Sequence, residues 1–300
     1  MKPVKQMDVK PGMNVSDLVK EMSASGVFGA GRIGRASNIM RKMFDDKDCK
    51  VFLGQAGAMV PGGMKNILVD MLQRGYIDVF VTTGATLTHD LVEALGFHHY
   101  QGNSGVDDAK LHKEKYDRIY ESLMPNEVYE KLEDFFVQHF DEFAKCKNIK
   151  EFLWKIGEFT PNQNSILRVC YEKKIPIFCP AIADSGIGLM IWGRIASGKK
   201  INIDVFDDMR EIIDIAWTSK KNGVVYIGGG VPKNFIQQSM QFSKGASYGV
   251  QITTDRPEPG GSSGAELREG ISWGKMEHDG EFVDVYCDAT IALPLIYASL

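Results

Sequence analysis

The chain has 300 residues, 44% of them hydrophobic and 25% charged, with a formal net charge of −4 at pH 7. That is enough chain and enough apolar residue to bury a full α/β core, and it excludes the basic face that nucleic-acid binding requires. No apolar run reaches the ~18–20 residues that cross a bilayer, Met1-Lys2-Pro3-Val4-Lys5 has no apolar signal core, and the five cysteines (Cys49, Cys146, Cys170, Cys179, Cys287) are odd in number and never spaced C-x-x-C. A reduced, cytoplasmic protein without disulfides or a metal site is the expectation.

In chain order, Val15–Met22 reads as a helix. It is followed by Gly29-Ala30-Gly31-Arg32-Ile33-Gly34, which has G-x-G-x-x-G spacing. That motif works only when a strand feeds the loop and the loop feeds a helix N-terminus. With a helix in front, the glycines read as a break before a helix starting near Arg35. Six short apolar runs then read as buried strands: Lys50–Gly54, Ile77–Thr83, Ile175–Ile182, Val224–Ile227, Gly249–Thr253 and Val283–Cys287. Met64–Gln73 and Asp204–Trp217 place apolar residues at helical spacing between them. Strands alternating with helices predict an α/β, Rossmann-like, doubly wound and mostly parallel sheet. The charged segment at about 101–148, helical in pattern from Asp107 onward, reads as an insertion within a single domain of residues 1–300.

In such sheets ligands sit beyond the carboxyl ends of the strands. The residues there are small or hydroxylated at five ends: Thr82–Thr86, Ala183–Gly186, Gly228–Gly230, Thr254-Asp255 and Asp288–Thr290. They suit close backbone approach to a nucleotide, although tight turns alone account for each. Near the C-terminus, Gly260–Gly264 forms a flexible loop before Glu269-Gly270-Ile271-Ser272-Trp273-Gly274-Lys275. Lys275 has two readings. It is a surface lysine lying along apolar neighbours, or an amine in an aromatic pocket, desolvated so that its neutral form attacks an imine or carbonyl carbon. In the second reading Glu269 binds a substrate ammonium and Trp273 covers an alkyl chain and faces a cation.

The run E-G-I-S-W-G-K (Glu269–Lys275) resembles the active-site lysine motif of deoxyhypusine synthases. Five other runs resemble the same family in the same order: V-F-V-T-T-G-A-T-L-T-H-D-L-V-E (Val79–Glu93), L-M-P-N-E-V-Y-E-K-L-E-D-F-F (Leu123–Phe136), P-I-F-C-P-A-I-A-D-S-G-I-G (Pro176–Gly188), I-G-G-G-V-P-K (Ile227–Lys233) and V-Y-C-D-A-T (Val285–Thr290). The resemblance implies NAD as cofactor, used without being consumed. It implies transfer of the aminobutyl group of spermidine through an imine on Lys275 to an acceptor amine, either a protein lysine or a small diamine such as putrescine. It also implies a homo-oligomer, a tetramer in most members, with active sites between subunits. By position, NAD contacts fall on Thr83, Asp184, Gly229, Thr254, Ser263, Asp288 and Ala289. Substrate contacts fall on Glu269, Trp273, Asn234, Gly260 and Ser262.

The departures cluster at the polyamine side. Thr88 and His89 stand where the family has two glutamates, Leu189 and Ser262 where it has aspartates, and Asn234 where it has a histidine. Gly57–Pro61 stands where the family has a serine- and asparagine-rich loop. Each lost charged contact weakens binding of a trication by about 1–3 kcal/mol, so donor or acceptor is expected to differ from the parent enzyme's. His89 remains a candidate acid/base, since imidazole ordinarily titrates near neutral pH. Two other classes of function compete. One is an NAD-dependent amine oxidoreductase without covalent catalysis. The other is a non-catalytic NAD-binding protein, for which the Glu269, Trp273 and Lys275 cluster has no use.

Overall fold

The computed structural model describes residues 1–300. Helices α1 (Val15–Ser25) and α2 (Phe28–Asp45) precede β1 (Cys49–Gln55), α3 (Lys65–Gln73), β2 (Val79–Thr82) and α4 (Gly84–Ala94). Then come β3 (Tyr100–Gln101), α5 (Asp108–Lys113), β4 (Tyr116–Ile119), β5 (Ser122–Pro125), α6 (Glu127–Phe143), α7 (Ile149–Phe159) and α8 (Ile166–Lys173). The last third holds β6 (Ile177–Phe178), α9 (Gly186–Ala196), α10 (Val205–Thr218), β7 (Lys221–Ile227), α11 (Gly230–Met240), β8 (Ala246–Thr253), α12 (Glu269–Ser272), β9 (Met276–Tyr286) and α13 (Ala289–Ala298). The chain divides into two compact units. The first is Met1–Ala56, Tyr76–Val81 and Met209–Leu300; the second is Gly57–Gly75 and Thr82–Asp208.

The first unit is an α/β layer with strands in the order β2-β1-β7-β8-β9. The β1–β7, β7–β8 and β8–β9 ladders are parallel. Their central residues are largely apolar and buried (Val51 to Leu53, Val224 to Ile227, Val250, Ile252, Val283, Val285), the composition expected of strands covered on both faces, whereas the first half of β9, Glu277 to Glu281, is mostly polar and partly or fully exposed. Helix α2 packs on β1, β8 and β9, α13 on β8 and α2, and α11 on β1. Each strand run expected from the sequence contains a strand. The Ile175–Ile182 run yields only Ile177–Phe178, because Pro180 and the following turn end it. No helix is long and apolar enough to cross a membrane.

The glycines at 29–34 do not break the chain as expected; they lie inside α2, which starts seven residues before Arg35, at Phe28. The reason is tertiary. A Cβ on Gly31 would lie 2.4 Å from the Gly26 carbonyl carbon, and one on Gly34 would lie 2.4 Å from Ser23 Cα. Glycine costs a helix roughly 1 kcal/mol per residue, but here it lets α1 and α2 meet backbone to backbone. Helix α1 itself is well terminated: Asn14 Oδ1 accepts from Asp17 N at its start, and Gly26 takes the left-handed conformation (φ 74°) at its end.

The second unit contains helices α3 to α9, the short β6, and an antiparallel sheet ordered β3-β5-β4. That sheet lies in the segment read as largely helical. Strands β4 and β5 turn over Tyr120, at φ 56°, and Glu121, a positive-φ turn suited to a hairpin. Phe136, Phe143 and Phe152 are fully buried and stack edge to face or tilted with Phe135 and Phe159. Asp90 of α4 is wholly buried and accepts from Ser165 Oγ, Ile166 N and Leu167 N, capping α8 from outside.

Gly34→Val is expected to lower stability by about 1–3 kcal/mol, the usual cost of forcing extra volume against fixed backbone. Gly29→Ala, where nothing lies within 4 Å of the added Cβ, is expected to be neutral or stabilising by up to ~1 kcal/mol. Urea-unfolding midpoints of the two variants check this.

Candidate active site

In the first unit the site begins where β7 ends. Gly228 and Gly230 adopt positive φ (74° and 59°), and a Cβ on Gly229 would lie 2.4 Å from Ser263 Cα. The glycine triplet is therefore required by the chain's own turn, and it brings Gly229 and Ser263 together. Ser263 Oγ accepts from Gly230 N at 2.8 Å. Helix α11 starts there without a side-chain cap, whereas α4, α9 and α13 are capped by Thr83, Ser185 and Asp288. With the Gly230 N–H taken by Ser263 and Pro232 having none, Val231 is left with the one open N–H in the first turn of α11. Beside it is a cavity of about 390 Å³ lined by Gly230, Val231, Asn234, Phe235, Gln238 and Ser262.

The loop from Ser263 to Leu267 is bonded to three elements below it. Thr253 Oγ1 donates to Ser263 O (3.4 Å), Gln251 Nε2 to Ala265 O (3.2 Å), and Leu267 N to the Asp284 carboxylate (3.1 and 3.3 Å). The strongest anchor is Lys233, only 1% exposed, whose Nζ donates to Ala265 O at 2.6 Å. Burial pushes the Lys233 pKa down to about 8, against the pull of Asp284 and Glu269 and with a small push from Lys275. Burial likewise pushes Asp284 up to about 6, against its bond from Leu267 and the Lys233 charge. Neither residue stood out in the sequence, because the helical position of Lys233 and the strand position of Asp284 carry no sign of what they hold.

That loop leads into α12 and the lysine. Lys275 N bonds back to Gly270 O (2.8 Å), and Lys275 O accepts from Ala246 N (3.0 Å), so the backbone is tied to the start of β8. Lys275 Nζ lies 4.9 Å from the centre of the Trp273 ring. The aromatic face expected from the motif is present. The enclosure is not, within the single chain: Trp273 is 57% exposed, and Glu269 is exposed as well. Thr254, Gly260 and Asp288 are exposed, and Asp288 spends its carboxylate capping α13 through Thr290 N (2.7 Å), next to Ala289.

In the second unit Thr83 caps α4, accepting from Thr86 N. A Cβ on Gly84 would lie 2.5 Å from Ser185 Cβ, so the Thr83 turn and the exposed Asp184 turn lie side by side. Thr88 is held by structure, since its hydroxyl donates to Gly84 O and accepts from Ile187 N (3.1 Å), tying α4 to the start of α9. His89 Nδ1 lies 2.9 Å from His99 Nε2, and His99 Nδ1 lies 3.0 Å from Glu93 Oε1. Glu93 Oε2 pairs with Lys65 Nζ. Burial first, then the neighbouring His99, pushes the His89 pKa down to about 4, with Glu93 opposing. His89 is thus a neutral imidazole at pH 7, not one poised near neutrality as its residue type suggested.

These features define a Rossmann-like α/β enzyme. A sequence profile of deoxyhypusine synthase matches residues 17–300. The probable deoxyhypusine synthase 1 of Methanosarcina mazei is 43% identical over 300 residues, covering 99% of this chain and 94% of that one. Its namesake in Archaeoglobus fulgidus is 43% identical over 293 residues, covering 98% and 96%. Among solved structures, an Entamoeba histolytica protein assigned as a deoxyhypusine synthase superposes with a TM-score of 0.66 at 20% identity, covering 99% of this chain and 96% of that one. AgrE, solved with ornithine and NAD+, superposes with a TM-score of 0.55 at 13% identity, over 91% of this chain and 34% of that one. The last two likenesses are of fold. The chain belongs to the deoxyhypusine synthase family, and with it to the enzymes that transfer alkyl groups.

The lowered Lys233 pKa means that the unfolded chain holds this proton more tightly than the folded one. A charged Lys233 therefore costs stability up to about pH 8, and the cost is lifted as pH rises from about 8 towards 10.5. Native protein is expected to gain about 2 kcal/mol relative to Lys233→Met between roughly pH 8 and pH 10, read from urea-unfolding midpoints of the two proteins.

Proposed function

We propose that the chain is an NAD-dependent transferase that moves the aminobutyl group of spermidine, or of a related polyamine, through an imine on Lys275 to an acceptor amine. The observation that carries this reading is the seating of Lys275. The lysine faces Trp273 and follows a loop pinned to the strand ends at Ser263, Ala265 and Leu267.

The residues present fit a dinucleotide. The glycine turn before α11 has no side chains to block a pyrophosphate from the Val231 N–H, and Thr83, Asp184, Gly229, Thr254, Ser263, Asp288 and Ala289 are assigned to hold the cofactor. When bound, the nicotinamide supplies hydride removal from the amine carbon and its return after transfer. Neutral His89 takes the proton lost from the substrate nitrogen. Lys275 Nζ then attacks the substrate imine carbon, its C–N bond forming as 1,3-diaminopropane leaves. An acceptor amine displaces Lys275 in the same manner. Glu269 pairs with the terminal ammonium, and Trp273 packs on the four-carbon chain.

With Thr88 engaged in holding α9, and with Leu189, Asn234 and Ser262 uncharged, the polyamine side of the site is poor in carboxylates. This favours a small or altered amine as acceptor over a protein lysine. Exposed Leu189, Trp192 and Ile195 on α9, together with the uncovered Trp273, support a homo-oligomer, a tetramer on family precedent, in which subunits complete one another's sites. The cytoplasm, where polyamines and NAD are both available, is the proposed compartment.

Lys275→Ala is expected to abolish transfer and to leave NAD affinity within about twofold, since loss of a nucleophile removes chemistry and not uniform binding. Mass spectrometry of incubations with NAD and spermidine, with and without putrescine, reads the products. 1,3-Diaminopropane with homospermidine names a small diamine as acceptor. Stoichiometric NADH without a transfer product makes the chain an amine oxidoreductase instead, and wild-type transfer by Lys275→Ala removes the covalent lysine.

A further inference from the structure

His89 does not stand alone. It and Glu93 are four residues apart on α4 and so share one face. After α4 the chain turns through Gly96, at φ 96°, and returns His99 to that face, its ring 4.9 Å from the His89 ring at 62°. Lys65, at the start of α3, closes the row on Glu93. Lys65, Glu93, His99 and His89 therefore form a line of four polar side chains in which every internal contact is made.

The proton positions along this line follow from one end. Burial works to raise the Glu93 pKa, but the bonds from His99 and Lys65 outweigh it and hold the group below the usual glutamate value. An ionised carboxylate only accepts, so His99 Nδ1 carries a proton and donates it. With a single ring proton on His99, its Nε2 is bare and only accepts. In that arrangement His89 Nδ1 is the donor across the 2.9 Å contact, and the His89 proton sits on Nδ1. That leaves Nε2, which makes no hydrogen bond within the chain, as an unprotonated base. On α8, which packs on α4, Arg168 pairs with Glu172. Asp90 faces α8 through Ser165, Ile166 and Leu167, and Arg194 is the only charged side chain on α9.

We propose that His99 and Glu93 act as a proton relay behind His89, fixing it in the Nδ1–H tautomer and receiving the proton that its Nε2 takes from the substrate amine. The balance is simple. His89 Nε2 gains one proton, His89 Nδ1 passes one to His99 Nε2, and His99 becomes an imidazolium against the Glu93 carboxylate. No electron pair leaves the line, and its net charge rises from zero to plus one. His99 and Glu93 are positioning residues that act through His89, and the proposal rests on His89 being the base in the reading above. A simple packing role for the two histidines would need only shape, and would be indifferent to whether Glu93 is ionised.

The test begins with long-range ¹⁵N–¹H spectra of the histidine rings in the full-length protein, which need no turnover. His89 is expected as the Nδ1–H tautomer in the native chain, and to lose that preference in Glu93→Gln, whose amide can donate to His99 and reverse the line. An Nε2–H His89 in the native chain overturns the relay. The second measurement is single-turnover NADH formation with the amine substrate. His89→Ala, His99→Phe and Glu93→Gln are each expected to slow it about 100-fold, and the His89→Ala/His99→Phe double variant to be no slower than His89→Ala. Wild-type rates in the His99 and Glu93 variants, with His89→Ala slow, sink the relay and spare the base. A wild-type rate in His89→Ala sinks the base itself.

Discussion

The loop from Ser263 to Leu267 has no regular structure, yet its polar backbone groups are satisfied from below by a lysine, a glutamine, a threonine and an aspartate. Irregular backbone laid over strand ends ordinarily turns its polar groups to water. Here the buried Lys233 ammonium performs that service for Ala265, at the expense of its own hydration, and Asp284 offsets the charge. The two perturbed groups are the visible cost of holding a loop in place against a glycine turn. What depends on it is large: Ser263 faces the α11 start at one end, and Glu269, Trp273 and Lys275 follow at the other.

The departures from the family pattern acquire different meanings once placed. Thr88 is a hinge pin between α4 and α9, and its hydroxyl serves two backbone groups that a longer acidic side chain would not reach in the same way. His89 is half-buried and neutral, and belongs to a line of four side chains. Asn234 and Ser262 line the cavity beside α11, and Leu189 is exposed on α9. The positions that the resemblance marks as altered are thus a mixture of exposed surface and internal bonding.

Much of this was legible in the sequence and some was not, for physical reasons. Apolar runs located β1, β2, β6, β7, β8 and β9, since buried strands read as continuous apolar segments. The glycines at 29–34 misled because helix propensity is local while the contacts with Ser23 and Gly26 are not. The β4–β5 hairpin was hidden by a turn that places a tyrosine at positive φ, where glycine or asparagine is the usual signal. The Lys275 motif was readable from residue types, but the seating of its loop was not, since the partner of Lys233 is a main-chain oxygen 32 residues away. His99 escaped notice for a related reason: a histidine at a helix exit says nothing of the ring it will meet until the chain has turned.

The internal location of the Lys233 and Asp284 charges has a bearing on ionic strength. Dissolved ions screen exposed charges over a Debye length of about 8 Å at physiological salt, which weakens surface pairs such as Lys5–Glu21, Lys42–Glu281 and Lys220–Asp48. They do not enter the space between Lys233 and the Ala265 carbonyl. The seat of the lysine-bearing loop is therefore insulated from the salinity of its surroundings, while the outer surface of the same unit is not.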